Sequence, residues 1–507
     1  MNLNQYKRLC GACDEILKSP KSSVITKSIA WLHVLNAHPT TQERYTNVWE
    51  ENKENNYILL YRSLGLFLRN LVVGSSSPRF ISSNPKIKKT DVLVLSHLLN
   101  EEHLGREEDF YFGNMTSELQ KKDVSSQILL RDHVGLNFTK SSDSWGKEST
   151  PRLFFTNRLS FLSELFILFR LTKEAAFLYV SSYVQKDRIL KNIYKTAAKA
   201  AFSFDSITAV RFSYQFEYLV SELQPKAVIT TMEGHAFERL AFFAARRVNP
   251  HIKCFGYQHA ILFPHQHAVK RSLGPDYDPD IIFTAGNQTI STLLKGYGSK
   301  KVQIYNIGTH RSSCPETIYD LAKTGSESVC LVLPDGNITE CLDLCSFAYE
   351  AAKSIPEIKF VIRLHPLNSV GMLILKNKIF KKLPPNLAFS NNNDIQNDFK
   401  MSKWALYRGS GSAIHSAMAG CRPIYVKTSN NINIDPLFEI SNGRKIIKDY
   451  NELKIIMRHD ISLTTESFLD ELEDLFKYCK EYFTPSNTQV LIDQLKNGNK
   501  EENESTL

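Results

Sequence analysis

No apolar run in these 507 residues reaches the ~20 needed to cross a bilayer. The two most apolar windows, Leu64–Val73 and Leu153–Val180, are broken by Arg69 and by Arg158, Glu164, Arg170 and Lys173. The opening Met1-Asn2-Leu3-Asn4-Gln5 lacks the charged-then-apolar layout of a signal peptide. The nine cysteines are scattered, and the close pairs Cys10/Cys13 and Cys341/Cys345 lack the partner pairs that a zinc site requires. A disulfide framework is excluded on the same spacing. Charge of neither sign dominates, since 62 Lys+Arg against 53 Asp+Glu leave +9. The basic residues are spread out, with small clusters at Lys86–Lys89, Lys186–Lys199 and Lys376–Lys382. There is no RNA-binding aromatic signature and no Cys/His finger, so a nucleic-acid partner is not expected. These absences point to a cytoplasmic chain with reduced thiols. Its mild basic excess fits a solvated surface or a peripheral contact with anionic membrane at the inner face of the cytoplasmic membrane. Leu153–Lys199, with Phe, Leu, Arg and Lys at helix-like spacing, is the candidate for that contact.

What is present is alternation. At ~150 residues per domain the length implies two to four units, and 42% hydrophobic with 23% charged residues is an ordinary globular composition. Residues 1–85 read as a helical extension, with Ile25–Leu35 and Tyr57–Leu71 as amphipathic segments. From 86 to 315 short buried-strand runs alternate with helical ones: Asp91–His97, Ser126–Leu130, Ala227–Thr231, Cys254–Tyr257, Ile281–Thr284 and Val302–Ile307 as strands, Phe112–Lys122 and Ala236–Val248 as helices. On the latter helix Glu238, Arg239, Arg246 and Arg247 are expected to face outward. After the polar passage Gly308–Ser328 the alternation restarts: strand Val329–Leu333, helix Cys341–Lys353, strands Lys359–Leu364 and Trp404–Tyr407, helix Ser412–Ala419 and strand Pro423–Val426. This gives a second unit over 316–460. A long helix, Phe468–Tyr482, and a charged, disordered tail from Asn497 are expected to complete 461–507. The fold class is α/β, with two doubly wound Rossmann-like domains and parallel sheets.

The chemistry-bearing residues gather where strands end. Arg363-Leu364-His365-Pro366 closes the run Phe360-Val361-Ile362, and Gly409-Ser410-Gly411-Ser412 follows Trp404–Arg408 and opens a small-residue helix. In open α/β sheets ligands sit beyond the carboxyl ends of the strands. A Gly/Ser turn at a helix N-terminus offers N–H groups and a positive dipole end to an anion. The pair reads as a diphosphate or nucleotide-monophosphate pocket, against the plainer readings of a flexible loop and a turn histidine. Asp335-Gly336-Asn337 closes the first strand of the same domain, and Gly336 and Asn337 can approach a nucleotide there. Asp335 is a ligand or a turn former.

In the first domain Glu233, after strand Ala227–Thr231, is placed to act as a general base or as a nucleophile. The competing role is stabilisation of the dipole of the next helix. Tyr257-Gln258-His259 follows another strand, and His265 and His267 lie close behind, so three of the 14 histidines fall in a short stretch. No Asp or Glu is near enough in sequence to complete a metal site with them. Imidazoles hydrogen-bonding an anionic sugar or phosphate are the better reading, with His259 ranked above His265 and His267.

The whole layout resembles the GT-B architecture. Glu233-Gly234, His365-Pro366 and Ser410/Ser412, in this order, resemble motifs of bacterial surface-carbohydrate transferases that use CMP-activated sialic acid or Kdo. Tyr257-Gln258-His259 also resembles a loop of surface-polysaccharide biosynthesis proteins. The resemblance covers Asp91–Val426. It departs from the family at Met232-Glu233-Gly234, where the family has two acidic residues before the glycine and this chain has one, and at the serine pair, which Gly411 splits. It implies a capsule or lipopolysaccharide glycosyltransferase taking a CMP-sugar donor and a glycan or lipid-linked acceptor, with no metal ion and no other cofactor. By the same resemblance Glu233, with His259, would be catalytic, and Gly234, Tyr257, Gln258 and His265 would meet the acceptor or sugar. Asp335, Gly336, Asn337, Arg363, His365, Pro366, Gly409, Ser410, Gly411 and Ser412 would hold the donor nucleotide. Alternatives are a CDP-glycerol-type glycerophosphotransferase, a nucleotide-sugar epimerase and a non-catalytic polysaccharide-assembly protein. A metal-free mechanism predicts that donor turnover survives EDTA. Loss of turnover restored by a single divalent ion would exclude it.

Overall fold

Runs such as Val92–Leu95 and Ala227–Thr231 have no polar face, so they are stable only as strands covered on both sides. The computed structural model describes residues 1–33, 80–82, 89–135, 152–155, 159–266, 268–297, 302–312, 314–321, 328–365, 376–428 and 432–504, with isolated positions between. It buries Val92–Leu95 and Ala227–Ile229 completely. The strands of the first domain are β1 Phe80–Ser82, β2 Val92–Leu98, β3 Ser126–Asp132, β4 Arg152–Phe155, β5 Ala227–Thr231, β6 Lys253–Gln258, β7 Ile281–Thr284 and β8 Gln303–Asn306. Those of the second are β9 Val329–Leu333, β10 Lys359–Ile362, β11 Leu387–Phe389, β12 Trp404–Tyr407, β13 Arg422–Val426 and β14 Lys445–Ile447. They order as β1-β4-β3-β2-β5-β6-β7-β8 and β11-β10-β9-β12-β13-β14. Only the β1–β4 pair is antiparallel.

In each sheet the chain lays strands to one side of its first parallel strand, then returns to the other. The order therefore reverses between β2 and β5, and again between β9 and β12. Ligand crevices form at such reversals, because the connections that leave the two strand ends go to opposite faces of the sheet. The architecture is GT-B-like: two Rossmann-like domains across a cleft, with helices at the N-terminus. Gly411 of the second domain and Ile261 of the first meet at this boundary, where a Cβ on Gly411 would stand 3.2 Å from the Ile261 side chain.

Several elements differ from the sequence expectation. Phe80–Ser82, inside the stretch read as a helical extension, is the edge strand β1, held by its register with Leu153–Phe155. The described N-terminal helices are Leu3–Lys18 and Val24–Ser28; the latter stops at Ile29, whose ψ of 96° is extended. Tyr57–Leu71 lies outside the described residues except for Gly65. Leu153–Lys199 is not one helical stretch, because Arg152–Phe155 is β4 and the helices Phe161–Tyr183 and Arg188–Ala200 follow. Phe468–Tyr482 is two helices, Thr465–Asp470 and Glu473–Tyr482. Between them Leu472 is buried and Glu471 pairs with the buried Arg422 at 2.8 Å. The tail is helical as far as Glu504 rather than disordered. The helix Thr488–Glu504 that runs into it is anchored in its first turns, where Leu491 and Ile492 are buried in one cluster with Met115 and Leu119 of the first domain.

The last segment thus crosses back from the second domain to the first. Tyr482 Oη accepts from Leu262 N–H at 2.8 Å, and Thr484 N–H donates to Ala285 O at 2.9 Å. Gly308, at φ +66°, lies so close to this segment that a Cβ would stand 2.0 Å from Pro485 O. The stretch Gly308–Ser328 is therefore docked at its start rather than a free linker. Gly308→Ala is expected to lose more stability than Gly135→Ala, whose φ is +78° with nothing within 4 Å. The backbone alone contributes roughly 1–3 kcal/mol at each, so denaturant titration of both variants isolates the docking contact. Equal losses would show that the return segment adds nothing.

Candidate functional site

The carboxyl end of β2 and β5 carries a connected polar group. His97, the penultimate residue of β2, is hydrogen-bonded through Nε2 to Thr231 Oγ1 of β5 at 2.9 Å. Its Nδ1 is 2.9 Å from Nε2 of His133, which follows β3. Two residues after Thr231 comes Glu233, whose Oε1 is 3.6 Å from His259 Nε2, beyond the end of β6. Tyr111 packs on His259 with ring centroids 4.4 Å apart. Arg311, after β8, lies 5.3 Å from the Tyr111 ring centroid and 5.0 Å from that of Phe110.

The imidazoles here are held neutral. Burial, and then the Arg311 charge, push His259 well below its ordinary value. Burial does the same to His97, with His133 and Arg131 adding to it. His133 falls to about 4 by burial and Arg131, and His310 to about 4 by burial and Arg311. The His259 ring is therefore neutral at neutral pH, so its contact with Glu233 is not an ion pair. Gln258 is wholly buried, and among the described residues neither its amide atoms nor His259 Nε2 has a hydrogen-bonding partner. Such groups cost about 1–3 kcal/mol each when left unsatisfied.

Glu233 is held by a second carboxylate. Glu238, expected to face outward, is buried and collects the N–H groups of Glu233, Gly234 and His235 at 2.7–3.0 Å. Arg239 is buried as well, donating to Asp278 at 2.6 Å and to the Ala268 and Arg271 carbonyls. Glu238 turns inward because the loop Met232–His235 folds over this end of the helix and points its N–H groups at the carboxyl, and Arg239 because Asp278 and the two carbonyls accept its donors. Gly234 is at φ +90°, and a Cβ would meet the Ala268 backbone at 2.5 Å, so this position requires glycine for backbone reasons. Its carbonyl accepts from Arg271 Nη2 at 3.5 Å. The buried Arg271 also donates to Asp14 at 3.1 Å and to His33 Nδ1 at 2.7 Å, which ties the N-terminal helices to the loop.

The second wall is built on β9, β10 and β12. Asn337 caps the helix Ile338–Ser354 by accepting from Thr339 and Glu340 N–H, and Gly336 lies against the His365 ring, where a Cβ would stand 3.2 Å from Cε1. Burial lowers the His365 pKa. Gly409 takes φ +70°, and Ser410 Oγ accepts from Ser412 N–H at 3.4 Å. The turn is anchored from behind by Arg408, whose guanidinium pairs with the buried Glu340 and donates to Val426 O at 3.0 Å. A cavity of about 590 Å³ adjoins Arg408, walled by Asp343, Phe347, Val426, Lys427, Thr428 and Lys448. His415, half-buried on the helix Ser412–Met418, stacks on Phe483 at 4.6 Å; desolvation and then Arg311 lower it to about 4. Arg311 therefore acts electrostatically on both domains.

Of the residues expected from sequence, the structure brings Glu233, Gly234, Gln258 and His259 to one switch point, and Asp335, Gly336, Asn337 and Gly409–Ser412 to the other, with His365 beside Gly336. Tyr257 reaches this region, but its hydroxyl donates to Gly308 O at 2.9 Å, an architectural contact. His265 lies elsewhere: its carbonyl accepts from Tyr6 Oη at 3.4 Å, and the ring neighbours Tyr6 of the N-terminal helix. Arg363 is not presented as a phosphate ligand, because Asp398 at 2.6 Å and the Asn392 and Asn393 carbonyls take its donors. Pro366 and His267 lie outside the described residues. Sequence reasoning missed His97, Tyr111, His133, Glu238 and Arg311. Only Glu238 left a signal, the His-x-x-Glu spacing of a capping box with an unusual first residue.

No family model matches this chain, and no curated protein does. Solved structures that it is similar to include the glycotransferase of kitacinnamycin, at 11% identity and TM-score 0.46, over 82% of this chain and 100% of that one. Another is the UDP-GlcNAc 2-epimerase from Neisseria meningitidis bound to UDP-GlcNAc, at 11% identity and TM-score 0.46, over 80% and 99%. The trehalose 6-phosphate synthase from Burkholderia multivorans gives 10% identity and TM-score 0.47, over 83% and 99%. TM-scores below 0.5 leave the chemistry of this chain to its own residues.

Burial, and then the Glu233 charge, push Glu238 up from 4.5 to about 8. The folded protein thus holds this proton more tightly than the unfolded chain, so stability declines as pH rises from about 4.5 to about 8 and is level above. Glu238→Gln is expected to lower stability throughout and to remove that decline. A melting temperature against pH for both proteins measures it, and an unchanged slope would place the titrating group elsewhere.

Proposed function

We propose that the protein is a glycosyltransferase that moves an acidic, sialic acid- or Kdo-like sugar from a CMP-activated donor to a cell-surface glycan acceptor. The observation that carries this reading is Arg311. It is half-buried, no carboxylate pairs with it among the described residues, and its charge bears on His259 and His310 in one domain and His415 in the other. A partly desolvated cation without a counter-charge is unfavourable until an anion arrives. A donor carrying a phosphate and a sugar carboxylate supplies such an anion. Each neutral histidine around it can donate one hydrogen bond to that anion, through the ring nitrogen that carries the proton.

In this reading the acceptor hydroxyl gives its proton to Glu233 as its oxygen attacks the anomeric carbon. The bond from that carbon to the phosphate oxygen breaks, and CMP leaves with the electron pair. Arg311 compensates the charge that develops on the leaving phosphate, as a preorganised cation does in a water-poor site. Gly336, His365 and the Gly409–Ser412 turn provide the surface on which the nucleotide rests. Glu238 and Arg271 act through the backbone of Glu233 and Gly234, so they are positioning residues.

Two variants separate the roles. Glu233→Gln keeps shape and removes basicity, so turnover is expected to fall roughly 10²–10⁴-fold with CMP affinity nearly intact. Arg311→Ala is expected to weaken CMP-donor binding by about 1.5–3 kcal/mol, on the order of 10- to 150-fold. Purified protein, a panel of CMP and CDP donors, and donor-dependent CMP release are the measurements. Full activity in Glu233→Gln with a small loss of melting temperature would make Glu233 a helix-start residue, since the dipole effect is only about 0.3–1 kcal/mol. Unchanged donor affinity in Arg311→Ala would remove the anion site.

A further inference from the structure

The helix Phe161–Tyr183 is apolar on two opposite sides. Ile167, Leu171, Ala175 and Leu178 point into the protein and are buried. The other side is solvent-exposed yet equally apolar: Leu162 is 76% exposed, Phe169 64% and Val180 66%, with Phe166, Phe177 and Tyr183 between and beyond them. Their spacing follows the i, i+3, i+4 rule for one helix face, so they form a ridge roughly 30 Å long that Lys173 interrupts midway. A helix that is hydrophobic all round is normally buried all round, and large exposed apolar patches mark interaction sites.

The charges around the ridge are of one sign. The helix has two acids, and both turn inward: Glu164 pairs with the buried Arg211 at 2.8 Å, and Glu174 accepts from Thr26 Oγ1. Arg170 stands beside the ridge and Lys173 on it, then Lys186 and Arg188 at the turn, then Lys191, Lys195 and Lys199 on the helix Arg188–Ala200. Lys191 and Lys195 hold their ammonium groups 5.6 and 5.9 Å from the Tyr183 ring centroid. The exposed acid of this hairpin, Asp187, caps the second helix and is paired with Arg8. No described helix is long and apolar enough to cross a membrane.

We propose that this ridge is a docking surface for an anionic phospholipid bilayer, with the helix Phe161–Tyr183 lying in the interfacial plane. Aromatic and aliphatic side chains enter the boundary between headgroups and acyl chains, and the flanking cations meet lipid phosphates. The charge pattern is what selects this occupant. A two-fold contact with a second copy would set seven cations against the same seven, and protein interfaces are depleted in lysine. The inference does not depend on the donor or on the catalytic residues.

The experiment is flotation of the full chain with vesicles of phosphatidylcholine alone or mixed equally with phosphatidylglycerol. Binding is expected to the mixed vesicles, to weaken as salt rises, and to be much lower on phosphatidylcholine alone. Phe166→Ser with Phe169→Ser, at exposed positions that leave the core intact, should reduce partitioning at least ~10-fold. Lys191→Glu with Lys195→Glu should also reduce it at least ~10-fold, and only on anionic vesicles. Folded protein that does not float with the mixed vesicles overturns the proposal, as does binding that the phenylalanine changes leave intact. A concentration-dependent dimer that those changes abolish, without vesicle binding, overturns it in favour of a second copy.

Discussion

The first domain's site depends on one buried carboxylate. Glu238 sits at the start of a helix, where free N–H groups need an acceptor, and it gathers those of Glu233, Gly234 and His235. Without it the loop after β5 would leave three donors unsatisfied. Gly234 is the other half of the arrangement, since its φ of +90° and its contact with Ala268 let the loop turn sharply enough to reach Glu238. Beneath them Arg271 reaches from the Gly234 carbonyl to Asp14, so the N-terminal helices brace the same loop from the far side. Removing any one partner leaves a buried charge or donor exposed to a low dielectric, which is why the group behaves as a unit.

The second wall repeats the logic with different residues. Arg408 and Glu340 form a buried pair behind the Gly409–Ser412 turn, so the turn is fixed by charges that do not themselves face the cleft. Asn337 and Gly336 complete the neighbouring switch point at the end of β9. The return segment Phe483–Pro485 joins the two halves, with His415 stacked on Phe483 from one domain and Gly308 pressed on Pro485 from the other. The cleft is thus lined by backbone turns held from behind, and Arg311, over the Phe110 and Tyr111 rings, is the cation whose charge reaches histidines of both domains.

The described histidines of the cleft share one electrostatic state. His97, His133, His259, His310 and His415 all lie below their ordinary values, because desolvation, full at His259 and partial at the more exposed His133 and His310, disfavours the charged ring and a neighbouring arginine or histidine repels it. A neutral imidazole can give or take a hydrogen bond, and an anion arriving beside it raises its proton affinity. The site is consequently polar without being strongly charged, apart from Glu233 and Arg311.

The sequence by itself determined the alternation of strands and helices, and so the two doubly wound domains. It also determined that Glu233, Gly336, His365 and Gly409–Ser412 lie where strands end, because a buried strand has to be a continuous apolar run and its first polar residues mark its exit. It could not show which strand ends are neighbours. The meeting of β2 with β5, and of His97, His133, His259 and Arg311 around Glu233, arises from crossovers that no local pattern encodes. Sequence pattern also placed Glu238 and Arg239 outward and Arg363 on the nucleotide, since a charge is read as facing solvent or a ligand unless a partner is known, and the partners of Arg239 and Arg363 come from distant parts of the chain. The same holds for the helix Phe161–Tyr183: its apolar residues were legible, but which of its two apolar faces meets the core was decided only by the packing of Ile167, Leu171 and Leu178 against the rest of the chain.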